Sequence, residues 1–262
     1  MYLRIALPRF WTFLCLLILT AGCTAAVPSS STLYQVSTIQ ALMQGVYDGN
    51  TSIGHLKTKG DMGIGTLNGL DGELVGLQGQ FYQVRADGQV LRLGDQELTP
   101  YASVAFFRPE INKKIKLIEN YQQLTQEIDA LLPSLNLFYA IQIQGRFPYL
   151  KARSVPPQEK PYRCLTEVVK NQQIFEFQNV NGTMVGFYSP RFSKNLRVPE
   201  YHLHFLTEDR SGGGHVLECQ IDWAVIQIDL LPKWEVELPE DETFKSKVLG
   251  ATTDEALRQV EK

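Results

Sequence analysis

The segment YHLHFLTEDRSGGGH, residues 201–215, contains three of the four histidines in the chain. Largely apolar residues lie on either side of a polar, glycine-rich middle, which is typical of two strands joined by a turn. The segment therefore predicts a β-hairpin. Its first strand carries His202 and His204, and its second strand begins near His215.

The spacing of these histidines indicates a metal site. Residues two apart on a strand project from the same face, so His202 and His204 point the same way. If the turn is centred near residues 209–210, His215 lies opposite His204 on that face. Three imidazoles form the ligand set of an open zinc or related divalent site. The prediction depends on the pairing register, because a slip of one residue moves His215 to the other face.

The composition is that of an ordinary globular protein, with 262 residues, 44% of them hydrophobic and 20% charged. This length is enough for one large domain or two small ones. The net charge of −3 and the lack of a basic cluster argue against a nucleic-acid partner.

The N-terminus has the pattern of an export signal. Arg4 and Arg9 precede an apolar run over residues 11–19, which is too short to span a bilayer comfortably. Residues 1–22 are therefore predicted to be a signal peptide. The protein is expected to be exported to the periplasm or the extracellular space.

The end of this segment leaves two alternatives open. Cys23 follows Ala-Gly and resembles the acylated cysteine of a bacterial lipoprotein, which would anchor the protein to a membrane. Thr20 stands where a leucine is usual in such signals, and a plain secretory signal is the alternative. Residues 23–32 are predicted to be a flexible tether. Cys164 and Cys219 either pair in the exported protein or stay free thiols.

Strand patterns dominate the rest of the chain, with helices inserted between groups of strands. The fold class predicted is α+β, with mixed or antiparallel β-sheets in two packed halves, about 33–132 and 133–262. A meander of short strands is expected over residues 52–107. Further strands are expected at 138–144, 149–155, 182–188, 219–231 and 233–238. Helices are expected at 37–47, 112–132, 163–171, 241–249 and 253–261.

One competing motif uses the same histidines. His202, His204 and Glu208 have the H-x-H-x3-E spacing of the first metal motif of cupins. Cupins supply another histidine well downstream, and this chain has none after His215. The glycine that opens the cupin motif is replaced by Leu196. A cupin-like metal-dependent oxygenase or isomerase is therefore the alternative interpretation.

A second resemblance extends from about residue 33 to the C-terminus. The chain resembles the α-acetolactate decarboxylase family through a series of short motifs. They are LYQVST at 33–38, ALM at 41–43, GVYDG at 45–49, GT at 65–66, LDGEL at 70–74, VNGT at 180–183, GF at 186–187, YHLHF at 201–205 and GGH at 213–215. The resemblance implies one catalytic unit over 33–262, built from both halves, and a homodimer.

The resemblance also implies a set of site residues. The three zinc-binding histidines of the family match His202, His204 and His215. A glutamate in the D-G-E-L turn matches Glu73, and an arginine in the segment KARSV matches Arg153. A C-terminal glutamate of the family matches Glu261 best, with Glu255 as the alternative.

The implied reaction is the zinc-dependent decarboxylation of (S)-2-acetolactate, a small 2-hydroxy-3-oxo acid, to (R)-acetoin and CO2. Zinc would act as a Lewis acid and stabilise an enediolate. Arg153 would orient the substrate carboxylate, and Glu73 or Glu261 would handle the proton. A surface lipoprotein that keeps this fold as a binding module without turnover is a further alternative.

Overall fold

The computed structural model describes residues 31–250 and 253–261. Its strands, in chain order, are β1 (Thr32–Val36), β2 (Thr51–Ser52), β3 (Met62–Thr66), β4 (Glu73–Leu77), β5 (Gln80–Val84), β6 (Val90–Arg92), β7 (Leu98–Thr99), β8 (Ala102–Ala105), β9 (Ile111–Ile118), β10 (Phe138–Ser154), β11 (Gln173–Ser189), β12 (Glu200–Thr207), β13 (Gly213–Leu231) and β14 (Lys233–Glu237). Its helices are α1 (Ile39–Met43), α2 (Ile53–Lys59), α3 (Tyr121–Asp129), α4 (Leu165–Val168), α5 (Glu242–Ser246) and α6 (Asp254–Glu261).

Seven strands form the first sheet in the order β14-β1-β8-β3-β4-β5-β6. All of its pairings are antiparallel except the parallel pair of β1 with β14. The sheet is therefore mixed, and it draws an edge strand from the C-terminal part of the chain. A separate two-stranded ladder pairs β2 with β7.

The second sheet is built on three long strands, β10, β11 and β13. The strand β10 pairs with β11 and β13, and β12 pairs with the same two strands. These four strands therefore form a closed ring of antiparallel pairings, which removes most of the free edge of the sheet. The strand β9 pairs with residues 221–228 of β13 and forms an edge of the sheet.

The two sheets pack on a shared apolar cluster. It combines Leu33, Ile64 and Val75 of the first sheet with Phe187 and Leu206 of the second. This arrangement confirms the predicted α+β class with packed sheets. The two sheets nevertheless do not coincide with the two halves of the chain expected on either side of residue 132. The strand β9 from the first half joins the second sheet, and β14 from the second half joins the first sheet.

The helix predicted over residues 112–132 is wrong in its first half. Residues 111–118 form β9, an edge strand whose exposed lysines are Lys113, Lys114 and Lys116. Only Ile115 and Ile118 of this strand are buried. Antiparallel pairing with β13 decides the local structure here, whereas the apolar spacing alone suited a helix. The second half is helical, as α3, which is capped by Asn120.

The meander predicted over residues 52–107 is interrupted by a helix. The helix α2 was missed because glycines at both of its ends suggested turns. Ser52 caps it by accepting a hydrogen bond from the His55 N–H at 3.1 Å. Elsewhere the predicted elements correspond well, and the 138–144 and 149–155 strands are parts of the single strand β10.

Several expectations concern residues 1–30, which lie outside the described residues. They are the signal peptide over 1–22, lipidation at Cys23 and most of the tether over 23–32; Thr32, the last residue of that tether, begins β1. Cys164 is an exposed free thiol and Cys219 is a buried one, so the two do not pair. Within residues 31–250 and 253–261, no helix has the length and apolar character needed to cross a membrane.

Candidate metal centre and active site

The histidine hairpin forms in the predicted register. His204 on β12 lies directly opposite His215 on β13. Thr207 fixes the turn, because its backbone N–H donates to Gly212 O at 2.9 Å and its Oγ1 accepts from the Gly212 N–H at 3.0 Å. Gly214 has φ +136°, and a Cβ there would lie 2.5 Å from the carbonyl oxygen of Arg153. A glycine at this position therefore lets β13 approach β10 next to the site.

The three imidazoles converge. One nitrogen from each of His202, His204 and His215 lies within 4.8 Å of the other two. The Nε2 atoms of His202 and His204 are 3.2 Å apart. Burial lowers the pKa of each ring, and the neighbouring positive charge of Arg153 lowers it further. The rings are therefore neutral at physiological pH, which is the form that binds a metal.

Hydrogen bonds to backbone carbonyls fix the tautomers of two rings. His204 Nδ1 lies 2.8 Å from Leu74 O, and a carbonyl only accepts, so Nδ1 carries the proton and Nε2 the lone pair. His215 Nε2 lies 3.1 Å from Glu261 O and donates in the same way. Its buried Nδ1, with a free lone pair, has no hydrogen-bond partner among the described residues. Such carbonyl contacts orient metal-binding histidines in other proteins.

Two buried carboxyl groups lie beside the triad. Glu73 begins β4, and its Oε2 is 3.5 Å from His204 Nε2. Glu261 ends α6, and its Oε2 is 3.9 Å from His202 Nε2 and 4.0 Å from His215 Nε2. Burial raises the pKa of each carboxyl to about 7, against the opposing effect of Arg153. Both groups can therefore hold or release a proton near neutral pH.

Arg153 connects the two carboxyl-bearing elements. It lies on β10 opposite His215, just beyond a register irregularity between Lys151 and Ala152. Its Nη1 is 3.5 Å from Glu73 Oε1, and its Nη2 donates to Val260 O at 2.5 Å. The side chain is almost fully buried. A fixed, buried guanidinium of this kind suits a ligand carboxylate.

The helix α6 brings Glu261 to this centre. Leu257 and Val260 pack in an apolar cluster with Leu165 and Val168 of α4. Thr253 caps this helix, because its Oγ1 accepts a hydrogen bond from the Ala256 N–H at 3.1 Å. Glu255 on the same helix is exposed and outside the cavity. Of the two C-terminal candidates, the structure therefore brings Glu261 and not Glu255 to the site.

A single cavity holds these groups. Its polar side is made by Glu73, Arg153, His202, His215 and Glu261. Seven uncharged lining residues and one glycine were not identified from the sequence. They are Ile39, Leu42, Gly65, Thr66, Leu70, Tyr101, Val155 and Leu165. Most of them are apolar residues that are indistinguishable from ordinary core residues in the sequence. Leu70 and Val155 carry one further signal, because Leu70 adjoins the D-G-E-L turn and Val155 lies two residues after Arg153.

The donor set fits a divalent cation. Three neutral imidazoles in an open arrangement are characteristic of zinc. Three buried polar atoms of the site have no hydrogen-bond partner among residues 31–250 and 253–261, and two of them, His215 Nδ1 and Glu261 Oε2, are atoms that can bind a cation; the third is Arg153 Nε. Buried polar atoms without a partner are costly, and a bound cation would satisfy the histidine nitrogen and the carboxylate oxygen. The three histidines can therefore hold a metal ion.

Comparison with known proteins shows the family of this chain. The family model described as alpha-acetolactate decarboxylase matches residues 33–251. The chain belongs to the alpha-acetolactate decarboxylase family. A relative from Methanosarcina mazei, named alpha-acetolactate decarboxylase, is 46% identical over 234 residues, which cover 89% of this chain and 81% of the relative. The relative of that name from Brevibacillus brevis is 41% identical and covers 90% of this chain and 84% of its own length.

A crystal structure of alpha-acetolactate decarboxylase from Bacillus subtilis strain 168 superimposes with a TM-score of 0.85 at 40% sequence identity. The match covers 88% of this chain and 99% of that one. The chain is therefore a decarboxylating enzyme, a carboxy-lyase of the alpha-acetolactate decarboxylase family. The cupin-like alternative is not favoured, and Glu208, its proposed ligand, is an exposed residue outside the histidine cluster.

Proposed function

We propose that the chain converts (S)-2-acetolactate to (R)-acetoin and CO2 with zinc held by His202, His204 and His215. The observation that supports this most is the convergence of three neutral imidazoles beside a cavity that is also lined by Arg153 and two carboxyl groups. A bound zinc ion would supply Lewis acidity to the ketone and hydroxyl oxygens of the substrate.

Arg153 binds and orients the substrate carboxylate. Its guanidinium is held on one side by the carbonyl of Val260 and on the other by Glu73. Because the group is buried, its attraction to an anion is weakly screened. It therefore holds the carboxylate in one orientation until the bond from C2 to the carboxylate carbon breaks.

The carboxyl groups handle the proton. When CO2 leaves, the electron pair of the broken bond moves into the adjacent ketone, and carbon must then be protonated on one face. Glu73 and Glu261 approach the triad from different elements, β4 and α6. With pKa values of about 7, either can be protonated and act as the acid. Fixed donors that reach the substrate from defined directions suit a single enantiomer of product.

Metal removal tests this proposal. Treatment with a chelator is expected to abolish CO2 release, and stoichiometric zinc is expected to restore it. His202→Ala removes one ligand and is expected to lower both zinc content, measured by elemental analysis, and activity. Full activity in His202→Ala would exclude the metal mechanism. Restoration by iron but not by zinc, with oxygen consumption, would instead support an oxygenase.

We also propose that the mature enzyme is an exported homodimer, and that Cys23 is its first residue when it is lipidated. The basic and apolar pattern of residues 1–22 supports export, and the family resemblance supports the dimer. Mass spectrometry of the mature N-terminus separates the two signal types, because an acyl group on Cys23 occurs only in the lipoprotein. Light scattering after gel filtration gives the oligomeric state.

A further inference from the structure

A second arginine is buried between the two sheets. Arg197 lies in the segment between β11 and β12, and it is 3% exposed. Its Nη1 donates to Gln35 Oε1 at 2.7 Å and to Ser103 Oγ at 2.9 Å, and its Nε donates to Ser189 Oγ at 3.0 Å. These three hydrogen-bond partners are all uncharged side chains, so they satisfy the donors of the guanidinium without offsetting its charge.

The guanidinium keeps its charge in this position. Burial lowers the pKa of Arg197 to about 10, which is still well above neutral pH. Among the described residues, the ionisable group that acts on it most is a phenol, Tyr101, and not a carboxylate. By contrast, Arg153 faces Glu73 at 3.5 Å. A buried charge without a charged partner costs free energy, and it is stabilised when an anion binds nearby.

This charge lies behind the wall of the cavity. The Cζ of Arg197 is 5.4 Å from the ring centroid of Phe187, and Phe187 pairs with His202 in the register of β11 and β12. On the other side, Ser103 is two residues after Tyr101, which lines the cavity, so these two side chains project the same way. Burial raises the pKa of Tyr101 to about 12, against the opposing charge of Arg197. The field of Arg197 therefore reaches the cavity.

The proposed reaction keeps a negative charge in this cavity throughout. A 2-hydroxy-3-oxo acid enters as a carboxylate, and when neutral CO2 leaves, the charge stays on the remaining fragment. We propose that Arg197 is a second cation of the site, which acts through space and favours the anionic substrate and the anionic fragment over neutral ligands. The inference rests on the proposed function, because it assumes an anionic ligand beside Arg153.

Binding of a charged and a neutral ligand tests this role. The probes are 2,3-dihydroxy-2-methylbutanoate and its amide, 2,3-dihydroxy-2-methylbutanamide, which lack the ketone and cannot decarboxylate. Calorimetry on the zinc-loaded protein gives the ratio of the dissociation constant of the amide to that of the anion. Arg197→Gln is expected to weaken binding of the anion about 10-fold and to lower this ratio by the same factor. A loss of hydrogen bonds alone would weaken both ligands equally.

Arg197→Lys separates the charge from the hydrogen bonds. It keeps a positive charge but cannot reproduce the planar fork of donors, so it is expected to restore the ratio at about pH 6. As the pH rises, the ratio is expected to fall relative to the wild type at the same pH, because a buried lysine loses its proton more easily than a buried arginine. This variant tests the charge in a folded protein even if Arg197→Gln does not fold.

Arg191→Gln is the matched control. It makes the same chemical change at an exposed position between the same two strands, where the side chain pairs with Glu200 at 2.7 Å. It is expected to leave the ratio within about twofold of the wild type, because solvent screens an exposed charge.

The outcomes separate this inference from the proposed function. A loss confined to the anion in Arg197→Gln, and reversed in Arg197→Lys at low pH, supports the role of Arg197. An unchanged ratio in Arg197→Gln overturns it, and so does a constant ratio in Arg197→Lys while NMR shows the introduced lysine losing its proton. A wild type that binds both probes but releases no CO2 from acetolactate would overturn the proposed function only, because the binding ratio does not depend on turnover.

Discussion

Among the described residues, burial raises the pKa of three carboxyl groups, which differ in their surroundings. Glu73 and Glu261 face the histidines and Arg153 inside the cavity. Asp229 lies on β13 outside it, where its Oδ2 accepts a hydrogen bond from the Arg108 N–H at 2.7 Å. A raised pKa alone therefore does not mark a catalytic group, and the convergence of chemically complementary residues is what assigns the first two to the site.

Asp229 gives a pH-dependent prediction for stability. Burial raises its pKa to about 6 from the ordinary value of 3.8; Glu110 and Asp61 raise it further, and Arg108 opposes them. The folded state therefore binds the proton more tightly than the unfolded state. The contribution of the protonated Asp229 carboxyl to the stability of the fold is present below pH 4 and is lost as the pH rises to about 6.

Asp229→Asn removes the ionisable carboxyl, so no stability is lost at this position as the pH rises. The amide oxygen can still accept the hydrogen bond from the Arg108 N–H. Above pH 6 the variant is expected to be more stable than the wild type by about 1–2 kcal/mol, with no gain at pH 4. Urea unfolding followed by circular dichroism at pH 4 and at pH 7 measures the difference. The control is Asp222→Asn, at an exposed position on the same strand. An equal gain in both variants would show that general charge reduction is the cause.

At the scale of elements, the histidine hairpin was predictable because its signals are local. The apolar flanks, the polar turn and Gly214 all agree with one register, and the pleat then fixes which side chains share a face. The strand β9 was not predictable in this way. Whether this segment is a strand or a helix depends on its pairing with β13, about a hundred residues away in the chain. A short window of sequence carries no information on that partner.

The placement of α6 also depends on contacts distant in sequence. A helix over residues 253–261 was predicted from the local sequence. Its docking against α4, which brings Glu261 to the histidines, follows from the burial of Leu257 and Val260. The family resemblance favoured Glu261 but left Glu255 as an alternative, since both lie on the same short helix.

These two glutamates form a matched pair for mutation. Glu261→Gln keeps the size of the side chain and removes its acid, so kcat is expected to fall about 100-fold or more through loss of proton transfer. Zinc content is expected to be retained, because the three histidines remain. Glu255→Gln makes the same chemical change at an exposed position and is expected to stay within about twofold of the wild type. Equal losses in both variants would contradict the assignment of Glu261.

At the scale of the whole molecule, the site exists only where the two sheets and the C-terminal helix meet. Glu73 comes from the first sheet, Arg153 and the histidines from the second, and Glu261 from α6. The sequence patterns predicted the class of fold and the metal half of the site. The meeting of the sheets depends on packing among residues such as Leu33, Val75 and Phe187, which their individual hydrophobicity does not specify.

The shared core and the exchanged strands predict that both sheets unfold together. Trp234 on β14 reports on the first sheet, where its ring lies 5.2 Å from that of Phe138 in the second. Trp223 on β13 reports on the second sheet. In a protein that begins at residue 23, Trp223→Phe and Trp234→Phe each leave one tryptophan. In each variant, the urea midpoint followed by tryptophan fluorescence is expected to equal the midpoint followed by circular dichroism. A fluorescence midpoint that departs from the circular dichroism midpoint in either variant would show that one sheet unfolds first. Activity would then be lost at the midpoint of the less stable sheet, because neither sheet carries the whole site.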